Sequence, residues 1–403
     1  MYRMGKEELE EVGKVIAAKQ LFMVGDPAGG HQQEVVRFER EWAEKIGVKH
    51  ALCLSGGGSA ALLCGLAALG IGPGDEVIVP AYTFMASASA VLAAGAIPVI
   101  AEVDELCLLD PEDFERKVGP NVRAVIPVHM VGMPCDMDRI MAVARKHKIK
   151  VFEDSCQCDG GSYHGRRTGG IGDMGAFSFN DFKIMTCGEG GGLVTNDLAL
   201  YERALVYSDS GACFRPYVKK LSITPFLGLQ FRPSEIQGAI LRMQLQRLEG
   251  ILADLRCIKA RIMAELKGKP GIRFVPSNDL KGDCGVAVGF QFDDNAKAAA
   301  FAKAEGVSGW LPIDTGKHVY FNWEPILQKR VGHHPEMNPF NHPKNQGLRM
   351  NYSTDMCPRT TDILSRTVFV SPNPDWTEQQ VSRCIAACAN AGRALGDAAL
   401  RHA

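Results

Sequence analysis

Short runs of β-branched and aliphatic residues alternate with stretches of helical periodicity through the first part of the chain. The pattern predicts strands over 51–55, 76–80, 97–102, 124–128 and 151–153, and helices over 60–69, 86–94 and 137–147. That rhythm predicts an α/β fold whose mostly parallel sheet carries helices on both faces. Gly72-Pro73-Gly74 marks the turn into the second strand. Beyond Gly192 the rhythm changes to a long amphipathic helical region over 234–266, a strand over 286–292 and a helix over 296–305. A boundary near residue 250 follows, giving a large domain over 1–250 and a smaller C-terminal α+β domain over 251–403. The segment 323–352, rich in Pro, Asn and His, reads as irregular surface structure.

Composition narrows the class. At 403 residues the chain is too long for one small core. Its 45 basic and 46 acidic side chains leave a net charge of −1, so no global field attracts nucleic acid or an anionic membrane. The thirteen cysteines are scattered, with no C-x-x-C pair of the zinc or redox kind, and reduced buried thiols are expected. Glu7, Glu8, Glu10 and Glu11 occupy the N-terminal region where a signal peptide would carry an apolar core. The longest apolar stretch, 90–101, is interrupted by Gly95 and Pro98 and is too short to span a bilayer. The expectation is a soluble, cytoplasmic protein acting on small molecules.

The densest chemical signal is Phe152-Glu153-Asp154-Ser155-Cys156-Gln157, followed by Phe177-Ser178-Phe179-Asn180-Asp181-Phe182-Lys183 and the run Gly188-Glu189-Gly190-Gly191-Gly192. Asp154 follows an apolar run, which places it at the carboxyl end of a strand, the edge where open α/β sheets bind ligands. A carboxylate there can pair with a protonated pyridine nitrogen and keep the ring an electron sink. The Lys183 amine, just after Phe179 and Phe182, can form a Schiff base. Singly, Asp154 reads rather as a helix cap or turn residue and Lys183 as a solvated surface group. Their order, with Ser178 between them and the glycine run after, favours a site. Ser55-Gly56-Gly57-Gly58-Ser59-Ala60 joins a strand to a helix, and its backbone can approach a phosphate at the helix N-terminus. It matches neither a dinucleotide fingerprint nor a Walker A loop, and a plain tight turn stays open as an alternative. The ring of Tyr82 can lie over a flat cofactor, or simply pack.

These words together resemble the DegT/DnrJ/EryC1/StrS family of sugar aminotransferases dependent on pyridoxal 5'-phosphate, across nearly the whole chain. The resemblance is carried by Phe38-Glu39 with Ala43, Gly58-Ser59-Ala60-Ala61-Leu62, the stretch from Gly74 to Pro80, Tyr82-Thr83-Phe84 and Gly95-Ala96-Ile97-Pro98. His129 with Gly132, Glu153-Asp154, and Phe177-Ser178-Phe179 to Lys183 complete it. It implies the fold type I architecture of aspartate aminotransferase and a homodimer with active sites at the subunit interface. It implies that Lys183 is the Schiff-base lysine and proton shuttle, Asp154 the pyridine-nitrogen partner, and Gln157 the contact to the ring's phenolic oxygen. Gly58, Ser59, Ala60 and Ser178 match the phosphate cradle, and Tyr82 the stacking position. Gln230 stands where the family usually has an Asn that reaches the neighbouring subunit's phosphate, and Pro233 is a further departure. The implied substrates are an amino-acid donor, glutamate or glutamine, and a keto-sugar acceptor. Ala101-Glu102-Val103-Asp104, Thr186-Cys187-Gly188-Glu189, Asn322-Trp323 and Ser365-Arg366-Thr367 resemble the branch forming 8-amino-3,8-dideoxy-octulosonate, although several sugar-directed branches share such words. Sugar dehydration is the runner-up chemistry, but family dehydratases carry His in place of the lysine that this chain keeps. A non-catalytic sensor of the same fold would have no physical need for Asp154, Ser178 and Lys183 together. A nicotinamide-binding oxidoreductase lacks its glycine fingerprint.

Overall fold

The computed structural model describes residues 3–400. The first strands are β1 (His50–Leu54), β2 (Glu76–Pro80), β3 (Ile97–Ala101), β4 (Val122–Val125) and β5 (Lys150–Asp154). A small hairpin of β6 (Ser162–Tyr163) and β7 (Arg166–Arg167) precedes β8 (Met174–Ser178) and β9 (Gly191–Thr195). Seven of these make the central sheet, in the order β1-β9-β8-β5-β4-β2-β3. From β3 to β8 the neighbours are parallel; β9 is reversed and pairs antiparallel with both β8 and β1. Helices cover both faces, so central strands such as β2 are buried throughout and read as near-continuous apolar runs.

The helices of this layer are α1 (Lys6–Ala18), α2 (Glu34–Ile46), α3 (Gly57–Leu69), α4 (Ala86–Ala93), α5 (Pro111–Arg116), α6 (Met137–His147) and α7 (Leu198–Ser208). α3 carries no charged residue, because Leu62, Cys64 and Leu66 are all buried and little of its surface meets water. On the other face, Phe38 and Trp42 of α2 meet Phe177 and Phe179 edge-on, with ring centroids 4.9–5.7 Å apart.

α8 (Glu235–Leu266) begins at a capping box in which Ser234 and Gln237 satisfy each other's backbone amides, and it runs unbroken through residue 250. Leu241, Leu248 and Leu255 pack into the core of α2 and β8, whereas Ile262 and Leu266 pack against a second sheet. That sheet joins β10 (Val288–Gln291), β11 (Gly309–Trp310) and β12 (Thr367–Val370) antiparallel in the order β10-β12-β11. The segment expected to be irregular surface structure is a series of short helical turns fixed to the sheet of the large core. Trp323 and Asn345 are fully buried; Asn345 accepts from the Gly74 amide at 2.7 Å and donates to Gly95 O at 2.9 Å. Proline and asparagine there satisfy a docked loop rather than a solvated one. All thirteen cysteines are free thiols. Among the described residues, no helix is long and apolar enough to cross a membrane.

Candidate active site

β1, β2, β5 and β8 point the same way, so their carboxyl ends share one edge of the sheet, where the reversed β9 begins. Five segments therefore converge: Gly56–Gly58 after β1, Thr83-Phe84 after β2, Asp154–Gln157 from β5, Ser178–Lys183 from β8, and Glu189 before β9. They line a cavity of about 690 Å³, closed on one side by Lys317 and His318.

Asp154 is the last residue of β5 and is buried. Its Oδ2 accepts from Ser87 Oγ at 2.8 Å and its Oδ1 from the Cys156 amide at 3.1 Å. Thr83 Oγ1 lies 2.8 Å from Ser87 Oγ. Because the Ser87 proton goes to the carboxylate, Thr83 donates to Ser87, and a hydroxyl relay aims Asp154 into the cavity. The neighbouring Glu153 points the other way. It accepts from the amides of Gly169, Ile171 and Gly172 at 2.6–2.8 Å and from His129 Nε2 at 3.0 Å. The Cys135 amide donates to His129 Nδ1, which fixes the imidazole proton on Nε2. This buried, satisfied network clamps the end of β5, while the His129 amide bonds the Asp154 carbonyl at 3.0 Å. Gln157 accepts from the Val131 amide through Oε1 at 3.1 Å, leaving its NH₂ to donate into the cavity.

Lys183 stands on a loop that closes on itself. Phe179 N–H bonds Gly190 O at 2.7 Å, Asp181 N–H bonds Gly188 O at 3.0 Å, and Lys183 N–H bonds Asn180 O at 3.0 Å. Thr186 Oγ1 bridges the loop, donating to Phe179 O and accepting from the Gly188 amide. The lysine thus reaches the cavity from a braced loop.

α3 begins at the same edge. Its first intrahelical bond of this turn is Ala60 N–H to Gly56 O, so the amides of Gly57, Gly58 and Ser59 precede it and are available to an anion. A side chain at Gly58 would place Cβ 2.6 Å from Cys156 Sγ, and one at Gly191 would lie 2.2 Å from Gly57 O. Glycine is required at both places for the backbones to form a concave cradle, beside which Ser178 sits. A cradle of bare amides, a carboxylate and a lysine on one cavity suit an aromatic ring bearing a phosphate.

Two residues expected on the cavity wall, Tyr82 and Ala60, are placed differently. Tyr82 is 1% exposed and does not line the cavity, because residues 81–85 pair with the distant segment 317–320. Tyr320 N–H bonds Ala81 O at 3.0 Å and Thr83 N–H bonds His318 O at 2.9 Å, which turns the Tyr82 ring into the core. Phe84, 39% exposed, presents its ring to the cavity instead. Ala60 is buried with its amide engaged in α3 and does not line the cavity either. Gln230 is exposed, lies outside the cavity and bridges to Asp209. Reasoning from sequence missed Ser87, Thr83, Phe84 and Lys317. Ser87 sits on the face of α4 one turn beyond Thr83, an i, i+4 spacing that was visible but indistinguishable from capping.

The model of the DegT/DnrJ/EryC1/StrS aminotransferase family matches residues 3–311. The chain is similar to GDP-perosamine synthase of Caulobacter vibrioides, 41% identical over 220 residues, which cover 54% of this chain and 58% of that protein. It is 39% identical over 241 residues to the dTDP-3-amino-3,4,6-trideoxy-alpha-D-glucose transaminase of Streptomyces venezuelae, covering 59% of this chain and 62% of that one. The matched segments thus span about six tenths of the length of these relatives. Among solved structures, S. venezuelae DesV in complex with a ketimine intermediate superposes with a TM-score of 0.75 at 28% identity, covering 95% of this chain and 94% of that one. A 3-amino-5-hydroxybenzoic acid synthase shares the fold with a TM-score of 0.76 at 24% identity, covering 98% of each chain. The chain belongs to the DegT/DnrJ/EryC1/StrS aminotransferase family.

Proposed function

We propose that this protein is a pyridoxal 5'-phosphate-dependent aminotransferase that moves an amino group from glutamate or glutamine to a keto sugar. The observation that carries the reading is the meeting of Asp154 and Lys183 on one cavity whose third wall is the bare amide cradle at α3. When bound, the cofactor supplies an electron-withdrawing ring that accepts the electrons released at the substrate's carbon. Asp154, which accepts from Ser87 Oγ and from the Cys156 amide, would pair with the ring nitrogen. Gln157 would donate to the ring's phenolic oxygen, and Gly58, Ser59 and Ser178 would hold the phosphate. Lys183 Nζ would take up the proton removed from the donor's α-carbon and would later return one to the acceptor's carbon. The sugar-directed relatives support a keto-sugar acceptor of the nucleotide-linked kind, whereas an 8-keto-octulosonate rests on the sequence resemblance alone. Gln230, outside its own chain's cavity, is assigned to the cradle of a second subunit in a homodimer.

The test is a screen of keto sugars against protein loaded with pyridoxamine phosphate. Return of the visible absorption of the aldehyde form is expected with at least one of them. Lys183→Ala should lose roughly 10²–10⁴-fold in turnover and retain no cofactor after borohydride treatment. Undiminished turnover in that variant would remove Lys183 from the reaction.

A further inference from the structure

Four charged side chains line the cavity, and three have an evident task. Asp154 and Lys183 serve the cofactor. Glu189 accepts from Asn180 Nδ2 at 2.9 Å and lies against the cradle, 3.8 Å from where a Gly57 side chain would begin. Lys317 is the fourth. Ion pairs form on either side of it in sequence, Lys297 with Asp293 and Arg330 with Glu324, but Lys317 has no carboxylate partner among the described residues. Its ammonium rests 5.3 Å from the centroid of the Phe84 ring, which lines the same cavity. The backbone beneath it is fixed. Lys317 O accepts from the Met85 amide at 3.1 Å and from Trp323 Nε1 at 2.9 Å, and Trp323 is fully buried. The adjoining His318 packs on the same ring at 5.6 Å, and its Nδ1 lies 3.3 Å from Thr315 O, so Nδ1 donates and Nε2 is left as an acceptor. Burial, then the charges of Lys317 and Lys183, push the His318 imidazole down, which leaves it neutral near pH 7 and Lys317 the sole cation of this wall.

We infer that Lys317 is a specificity-determining residue that binds a negatively charged group, carboxylate or phosphate, which a substrate carries away from its reacting carbon. The inference rests on the aminotransferase reading and deepens it. A cation held by backbone bonds and an aromatic face, with no internal partner, is poised for an external anion at little ordering cost. The anion has two sources: the side-chain carboxylate of an acidic amino donor, or an acidic group on the keto sugar. His318 Nε2 accepts a hydroxyl hydrogen beside it.

The two half-reactions separate these sources. Lys317→Gln keeps the stem over Phe84 and removes the charge; Lys317→Glu reverses it. Single-turnover measurements would use glutamate and glutamine with the aldehyde form, and a keto sugar acid, a nucleoside-diphosphate keto sugar and an uncharged keto sugar with the amine form. Lys317→Gln should weaken apparent binding of the anionic partner by roughly 10- to 100-fold, the worth of one charge-assisted hydrogen bond, with kcat changed far less. Lys317→Glu should weaken it further, and uncharged partners should change least. A loss confined to glutamate relative to glutamine identifies the donor's carboxylate. A loss confined to the acidic sugars identifies the acceptor's anion. Equal effects on charged and uncharged partners in both half-reactions, or none, would overturn the inference while leaving the aminotransferase reading intact. Failure of the wild type to aminate any keto sugar would overturn both.

Discussion

Both carboxyl oxygens of Asp159 are buried without a hydrogen-bond partner. Burial pushes the group well above the usual carboxylate range, against the opposing pull of the Lys183 charge. A carboxyl protonated in the fold and ionised in the unfolded chain binds more protons when folded. Its contribution to stability is therefore full below the unfolded carboxylate range, about pH 4, and is lost as pH rises beyond it. Asp159→Asn escapes that loss. Its unfolding free energy relative to wild type should improve as pH rises above about 4, with a limiting slope of about 1.4 kcal/mol per pH unit. A difference independent of pH would mean that the carboxyl is ionised in the fold. Tyr82 and Phe84 divide in a similar way between stability and binding. Tyr82→Ala empties a core position and should cost about 3–5 kcal/mol of stability. Phe84→Ala should leave the melting temperature nearly unchanged and raise the cofactor dissociation constant, as read by fluorescence titration.

Among the elements, the start of α3 makes the sharpest demand. Gly58→Ala drives Cβ toward Cys156 Sγ, and the nearest atom behind that is Ser178 Cβ at 3.2 Å. Cofactor retention should fall at least about tenfold, the effect of about 1.4 kcal/mol of overpacking. Gly58→Ala with Cys156→Ala should recover part of it, because the obstructing atom belongs to a side chain; no recovery would place the conflict in the backbone. β2 and α3 are legible in the sequence as near-continuous apolar runs, and α6 and α8 as stretches of helical periodicity, because all of these signals are local. β8 and β9 were not read as strands. Gly175, Gly191 and Gly192 interrupt their apolar runs, and a Cβ at Gly175 would lie 2.2 Å from Gly169 O. The pairing of 81–85 with 317–320 was equally out of reach, since its partner is more than 230 residues away and no local signal announces it. Asp154, Gln157, Ser178 and Lys183 all line the cavity, and Phe84, two residues beyond Tyr82, supplies an aromatic ring on its wall.

At the scale of the molecule, the position of Gln230 outside its own cavity sets up a test of assembly. Subunits carrying Gln230→Ala and subunits carrying Lys183→Ala would be mixed at limiting cofactor. If a site combines Lys183 of one subunit with Gln230 of another, both lesions of a mixed dimer fall in one site and the second is intact, so activity should exceed that of either parent. No gain after proven subunit exchange would return Gln230 to a purely structural role. The long helix α8 has a different consequence. At 32 residues it is a rod of about 48 Å, with Leu248 and Leu255 in the core of α2 and β8 and Ile262 and Leu266 in the core under β10 and β12. Neither core can melt without exposing apolar side chains on a helix whose hydrogen-bond ladder the other core still holds. Calorimetry should accordingly show one heat-absorption peak rather than two. In deuterium exchange, the amides between those two groups of leucines and isoleucine should open only when the entire chain does, so that the rod welds two cores into one melting unit.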